Sequence, residues 1–302
     1  MNFKFDYEPA YPMFGNRDSA DRRILVIYYA MKLSLENSRT QELLSAGLIS
    51  IAMICLIVAV QLLSKLDTPG AEIAAEPDPI TVFPDFASIP NIGVKKQQFF
   101  DFLQDYIVAE NAEIIRDRIS LQPYADIANS GVALSERERE WVLKLAENYR
   151  IETAQLSDSE IVKELMKRVD VIPVSLALAQ AANESAWGTS RFTLEGNNIF
   201  GQWCYEVGCG IVPAQRRDGA NHEVESFASV ESAVRAYFLN INSHPSYRYL
   251  REIRAEMRQF HEELDSMELA YGLGRYSERG DNYVDEVQNI IIQNDLLRRD
   301  KG

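Results

Sequence analysis

Basic residues are in short supply in this chain: 31 Lys and Arg stand against 45 Asp and Glu, a net charge of −14 over 302 residues. Residues 1–63 carry six of each sign, so the whole acidic excess lies in 64–302. An acidic surface repels polyanions, which argues against a nucleic-acid partner and against adhesion to anionic lipid through charge. Cysteine and histidine are scarcer still, with three of each. His222, His244 and His261 are scattered, and no second Cys/His pair with ligand spacing accompanies Cys204 and Cys209, so no metal or cofactor is expected. No Ser-His-Asp or Cys-His arrangement is recognisable, no glycine loop suits a phosphate, and no internal repeat is present. Nucleophilic Ser or Cys chemistry and nucleotide binding are therefore without support.

Charge is missing altogether from one stretch, "LLSAGLISIAMICLIVAVQLL", residues 43–63. As a helix it would measure roughly 31 Å, the thickness of a bilayer's hydrocarbon core. It has no polar face, so a soluble fold would have to enclose it completely. The 42 residues before it, and the lack of an A-x-A site directly after it, disfavour a cleaved signal peptide. Arg23, Lys32 and Arg39 precede the run and only Lys65 follows closely, which keeps the N-terminus cytoplasmic and exports the rest. The expected organisation is a cytoplasmic tail (1–42), a single transmembrane helix in the lipid bilayer (43–63), a linker (64–93) and an exported domain (94–302). The linker assignment rests on Pro69, Pro77, Pro79, Pro84 and Pro90. In an oxidising compartment, Cys204 and Cys209 can close a small disulfide loop eased by Gly208 and Gly210; zinc is the rival reading.

From residue 94 the pattern becomes helical. Phe99, Phe102, Leu103, Tyr106 and Ile107 recur at spacings of three and four, and the stripe continues to Ile114, Ile115 and Ile119. Ser135 with Glu138 reads as a capping box, and Ser157 precedes another helix with Ile161, Leu165 and Val169 on one face. A helix from Pro173 to about Ala186 follows, with Gly188 placed to end it. Residues 196–219 read as loops with a short hairpin, Ile211-Val212 pairing with Glu223-Val224. Helices resume over 229–242, 247–257, 267–271 and 283–297. The fold class expected is mainly α, with one small β-hairpin.

Within the helix from Pro173, the residues Ala177, Gln180, Ala181 and Glu184 share one face, small except at its two polar members. Val174, Leu178 and Ala182 lie on another face and are expected to pack inward. A helix C-terminus disfavours ionisation of Glu184, and apolar neighbours such as Trp187 and Phe200 would raise its pKa further. A neutral Glu near pH 7 is what a general acid requires, and cleavage of a glycosidic bond is the chemistry that fits. A Glu late in a helix can equally serve as a cap or pair with a base such as Arg191. Trp203, Tyr205, Tyr237, Tyr247 and Tyr276 suit stacking on sugar faces, although Tyr237 sits midway along an amphipathic helix and reads better as core.

The words "ALAQAANESAWGTSRF" and "EGNNIFGQW" resemble the glucosaminidase domain of bacterial peptidoglycan hydrolases, glycoside hydrolase family 73, described as mannosyl-glycoprotein endo-β-N-acetylglucosaminidase-like. More narrowly, "GQWCYEVGCGIVP" and "AYFLNINSHPSYRYLREIR" resemble its Bax-type branch. The resemblance spans 94–297 and is strongest over 173–254. It implies a lysozyme-like helical fold and cleavage of the β-1,4 bond after N-acetylglucosamine in peptidoglycan glycan strands. Together with the charge-free run at 43–63 and its flanking basic residues, a bacterial wall substrate leads to the expectation of an inner-membrane protein with its C-terminal domain in the periplasm. On this resemblance Glu184 matches the catalytic acid, Tyr276 an active-site tyrosine, and Asn197, Asn198 and Phe200 the loop that shapes the cleft. Many members place a second acid on the hairpin, where the best register here puts Gln215. Glu223 is the nearest carboxylate that could act on substrate, and without it the substrate's N-acetyl group could serve as nucleophile. Gln180, Trp203 and Tyr247 complete the expected substrate contacts. A lytic transglycosylase, or a wall-binding scaffold without turnover, are the alternatives.

Overall fold

The computed structural model describes residues 82–301, apart from 131–132, 215, 217–218 and 261–262. The expected tail and transmembrane run, most of the expected linker, and Gln215 lie outside the described residues. Among the described residues no helix is long and apolar enough to cross a membrane.

The architecture is mainly helical. Helix α1 (Ile92–Ser130) is followed by α2 (Glu136–Asn148), α3 (Asp158–Arg168), α4 (Val174–Glu184) and α5 (Arg191–Gly196). Strands β1 (Trp203–Cys204), β2 (Gly210–Ile211) and β3 (Glu223–Glu225) come next, and then α6 (Val230–Ser243), α7 (Arg248–Gln259), α8 (Ser266–Ala270) and α9 (Asp281–Gln293). The starts of α2 and α3 are true capping boxes, with Ser135 and Glu138, and Ser157 and Glu160, satisfying each other's end of the helix. Along α1 the aromatic stripe faces inward, but Ile115 and Ile119 are exposed and Leu121 is buried in their place.

The expected hairpin is one half of a three-stranded antiparallel sheet with β3 in the middle. Ile211 pairs with Val224 as anticipated, while Trp203 and Cys204 add a strand on the other edge, opposite Val224 and Glu223. Two-residue strands leave no alternation to read, which is why β1 escapes the sequence pattern. Gly210 is required here: a Cβ would stand 2.0 Å from the Val224 carbonyl oxygen.

Helix α4 is the hub. Nine consecutive residues, Val174 to Ala182, are buried, so the face carrying Ala177 and Ala181 is not open to a ligand as its small size suggested. Only the last turn reaches the surface. Pro173, expected in the first turn, stands just before it and supplies no side-chain cap. Asp300 caps that end instead, accepting from Ser175 N at 2.8 Å and from Ser175 Oγ at 2.6 Å. Nearby, the wholly buried Arg254 of α7 donates to the carbonyls that end α3, at Lys167 (2.9 Å), Asp170 (3.1 Å) and Val171 (3.0 Å). Burial alone would raise the Asp170 carboxyl, but Arg254, Arg258 and Arg118 outweigh it and hold it below the usual carboxylate range.

The segment at 83–89, assigned to the spacer from its prolines, is part of the packed domain. Phe83 and Phe86 are 4% exposed and meet Phe99 and Phe102 of α1 edge to face. Their purpose appears where α4 ends. The helix stops at Glu184, two residues earlier than expected, and Ala186, Trp187 and Gly188 all adopt left-handed φ values of 49°, 61° and 74°. Ser185 ties this reversal together through bonds from Gly188 N to its Oγ (2.8 Å) and from Ser190 N to its carbonyl (2.9 Å). Trp187 seats its ring against Phe99 and Phe100. A Cβ at Gly188 would lie 2.8 Å from both Phe83 and Phe86. We therefore expect Gly188→Ala to destabilise the fold by about 1–3 kcal/mol from left-handed strain alone, with the ring clash added. Urea unfolding would measure it, and a variant as stable as the parent would contradict the account.

Candidate active site

Glu184 is the last residue of α4, and four tyrosines gather beside it. Gln180, one turn back, is fully buried and bridges two of them. Tyr237 Oη donates to Gln180 Oε1 at 2.6 Å, and Gln180 Nε2 donates to Tyr283 Oη at 3.0 Å. The Tyr283 hydroxyl in turn lies where it favours the ionised form of the Glu184 carboxyl. Tyr276 stacks on Tyr283 with ring centres 5.3 Å apart and 8° between planes, and Tyr247 lies 5.8 Å from Tyr276. Burial pushes the hydroxyls of Tyr237, Tyr276 and Tyr283 well above the ordinary tyrosine value and that of Tyr247 up to about 12. They are neutral hydrogen-bonding groups at any physiological pH.

The loop at 197–202 closes the other side. Asn197 takes the left-handed cap of α5 at φ 51°. Asn198 is buried and sews the loop together, donating to the Gln202 and Glu225 carbonyls at 2.8 Å each and accepting from Gln202 N. Phe200 is wholly buried, stacked on Tyr237 at 3.9 Å, and its carbonyl accepts the Tyr276 hydroxyl at 2.6 Å. These three residues hold the loop in place and present almost no surface of their own. Gly201 has φ +64°, and a Cβ there would stand 3.0 Å from Glu184 Oε2, so the bare backbone is what lets the loop lie against the carboxylate.

Burial raises the Glu184 carboxyl above the ordinary glutamate value; the Tyr283 hydroxyl and the Arg279 charge pull it back, and Glu286 pushes it up again. Arg279 is paired with Glu286 and sits over the Tyr283 ring. The apolar neighbours expected to raise Glu184 are engaged elsewhere, Trp187 with Phe99 and Phe100 and Phe200 with Tyr237. Arg191, the base that could have paired with Glu184, faces Glu195. Two buried polar atoms at this corner have no hydrogen-bond partner among the described residues, Glu184 Oε1 and Asn183 Nδ2. Orphaned polar atoms are uncommon in a native fold, and here two fall on neighbouring residues at one helix end.

The remaining expected residues divide. Trp203 is exposed, stacked on His222 at 4.3 Å, and follows Gly201 by two residues, so its ring is offered to the surface on the strand leading away from the site. Tyr247 is buried beneath Tyr276. Cys204 and Cys209 are joined by a disulfide. Glu223 faces the turn that this disulfide closes, accepting from Gly208 N at 3.1 Å and Gly210 N at 2.8 Å. Those two backbone donors hold its carboxyl below the usual range, the opposite of what a proton donor needs. Tyr283, Asn183 and Gly201 are members of the site that residue patterns did not single out. The spacing of seven between Tyr276 and Tyr283 is the one signal that could have found Tyr283.

Because Tyr283 stabilises the ionised form of Glu184, Tyr283→Phe is expected to raise the Glu184 pKa further. A ¹³C NMR titration of labelled glutamate would read it: Glu184 should titrate above ordinary glutamates in the parent and higher still in the variant. A fall in the variant would contradict the assigned interaction.

The glucosaminidase family model, described as mannosyl-glycoprotein endo-beta-N-acetylglucosaminidase, matches residues 159–296, which contain α4, the loop, the sheet and all four tyrosines. The protein bax of Escherichia coli (strain K12) is 30% identical over 203 residues, covering 66% of this chain and 70% of that protein. Among solved structures, the catalytic domain of the autolysin Auto from Listeria monocytogenes aligns at 15% identity and a TM-score of 0.36, covering 70% of this chain and 92% of that one. By its match to the Escherichia coli protein, the chain belongs to the Bax-type glucosaminidase-domain family.

Proposed function

We propose that this protein is a membrane-anchored peptidoglycan hydrolase that cleaves the β-1,4 bond after N-acetylglucosamine, with Glu184 as general acid and base. The observation that carries this reading is a raised, partly buried carboxyl with an unpartnered oxygen, held on a rigid helix end inside a family of glucosaminidases. The neutral Glu184 gives its proton to the leaving glycosidic oxygen, and the resulting carboxylate, steadied by Tyr283, takes a proton from the attacking water. Tyr276 commits its own proton to the Phe200 carbonyl, so toward a ligand its oxygen is an acceptor. That suits a water to be oriented or the positive charge of an oxocarbenium-like state. Trp203 offers a flat apolar face for a sugar ring.

Both oxygens of Glu223 are engaged by the Gly208 and Gly210 amides, so the reaction is assigned to one carboxylate, with the substrate's N-acetyl group as internal nucleophile. The same feature favours a second reading, a lytic transglycosylase, in which a hydroxyl of the sugar itself displaces the leaving group. The anchor is the run at 43–63, oriented with the N-terminus in the cytoplasm and the catalytic domain in the periplasm.

The test is digestion of purified peptidoglycan by the full chain in detergent, with Glu184→Gln alongside, reading fragments by mass spectrometry. Reducing N-acetylglucosamine ends released by the parent, and a loss of at least 10³-fold in the variant, are expected on the scale of losing a general acid. Anhydro-sugar ends would establish the transglycosylase. Glycan binding without release from either protein would overturn both and leave a scaffold. Retention in membranes after an alkaline wash, lost on deletion of 43–63, checks the anchor.

A further inference from the structure

A polar cavity of about 360 Å³ shares no residue with the Glu184 site and is of a size that takes small molecules. It is lined by Glu110, Glu113 and Asp117 of α1, Tyr149 just after α2, and Arg235 and Asn242 of α6. The three carboxylates fall at i, i+3 and i+7, on one helix face, where like charges repel. Glu110 is 13% exposed at its side chain, and burial raises both its carboxyl and that of Asp117. Arg235 is the one cation on the lining. It is more than half exposed and divided between Glu110 at 3.4 Å and Glu231 at 3.0 Å.

The wall residue Asn242 decides what is missing. It is wholly buried, and its Nδ2 is tied back to the Asp170 carbonyl at 3.0 Å. Its Oδ1 has no partner among the described residues, which leaves the oxygen as the amide atom free for an occupant. A buried acceptor left unpaired is unfavourable. Glu113 is paired with Arg116, so the demands left at Glu110, Asp117 and the Asn242 oxygen are for positive charge or for a hydrogen-bond donor. A bare metal ion is a poor match, because it needs converging ligands. Among the described residues, the one set of three Cys, His, Asp or Glu ligand atoms lying within 4.8 Å of one another is Cys204, Cys209 and Glu223, not these carboxylates. Acceptors spread along two helix turns, with Ile114 and Leu239 also on the lining, suit an ammonium group on an alkyl stem.

We propose that this cavity binds a primary alkylammonium group, with Glu110, Asp117 and the Asn242 oxygen as its acceptors. The ammonium could be carried by a free diamine or by a lysine-like side chain of a peptide. The proposal does not depend on the hydrolase reading, since no bond is broken here.

Calorimetric titration of the full chain in detergent with cadaverine, and separately with N-acetyl-lysine amide, would test it. Saturable binding of at least one probe is expected, weakened tenfold or more by Glu110→Gln and by Asp117→Asn, and unchanged by Glu184→Gln. The binding probe should also raise the melting temperature of the unaltered protein, a readout that needs no variant. Cadaverine alone would identify a free amine as the ligand, and the lysine amide a peptide side chain. Absence of saturable binding by both probes, affinity equal to the parent's in both carboxylate variants, or displacement of the probe by equimolar Ca²⁺ would each overturn the assignment. Glycan digestion by the same preparations is scored separately, so the two proposals fail independently.

Discussion

The position of Glu184 depends on a chain reversal that the backbone resists. Ala186 and Trp187 both adopt left-handed φ, a conformation that costs about 1–3 kcal/mol for each residue with a side chain. What holds them there is aromatic packing. Trp187 meets Phe99 and Phe100 edge to face, contacts worth about 0.5–1.5 kcal/mol each beyond the area buried. Phe83 and Phe86 fill the space beside Gly188. If α4 ran on for another turn, the chain from 187 onward would leave in a different direction. Gly201 could then not lie against the carboxylate, and the Phe200 carbonyl could not receive Tyr276. A cluster built from residues 83–102 thus governs the geometry of a loop a hundred residues later.

Electrostatics at the site follow from the same closeness. A guanidinium near a carboxyl ordinarily keeps it ionised, and Arg279 is near enough to pull Glu184 down. Its pairing with Glu286, which pushes the other way, blunts that effect. Burial among tyrosines that are themselves neutral then dominates. The Tyr283 hydroxyl prevents the opposite extreme, a carboxyl so destabilised in its ionised form that it could never release a proton. On the proposed reading Glu184 must both give and take a proton in one cycle, and neighbours that pull its pKa in opposite directions suit that need.

Much of this was readable before any coordinates, and the parts that were not share a cause. Ser135 and Ser157 announce their helices because a capping box is a local device, complete within four residues. Glu184 could be placed at a helix end because Trp187-Gly188 interrupts the pattern. Asp300 as the cap of α4 was invisible, because it acts from 125 residues along the chain. The same applies to Phe83 and Phe86: prolines on either side suggest a spacer, and only the fold shows the rings they bury. Gln180 looked like a group facing substrate because its helix face is small and polar. In fact small residues allowed neighbours to cover that face, leaving Gln180 to orient Tyr283. Glu223 shows the limit of counting carboxylates, since whether one is free or engaged by backbone amides is a tertiary fact.

Helix α4 is pinned at both ends and surrounded throughout. Asp300 and the serines hold its start, the aromatic cluster holds its finish, and the alanines between let helices α1 and α9 approach closely. Such a helix cannot carry Glu184 toward a ligand. The acid is fixed, and whatever it serves must be brought to it, which is the arrangement in which a polar group loses least to reorganisation during reaction. This accounts for the two orphaned atoms at the helix end. Asn183 Nδ2 and Glu184 Oε1 would turn to partners within the protein if the backbone beneath them could adjust. On the proposed reading, a polar substrate brought to the helix end supplies the missing partners.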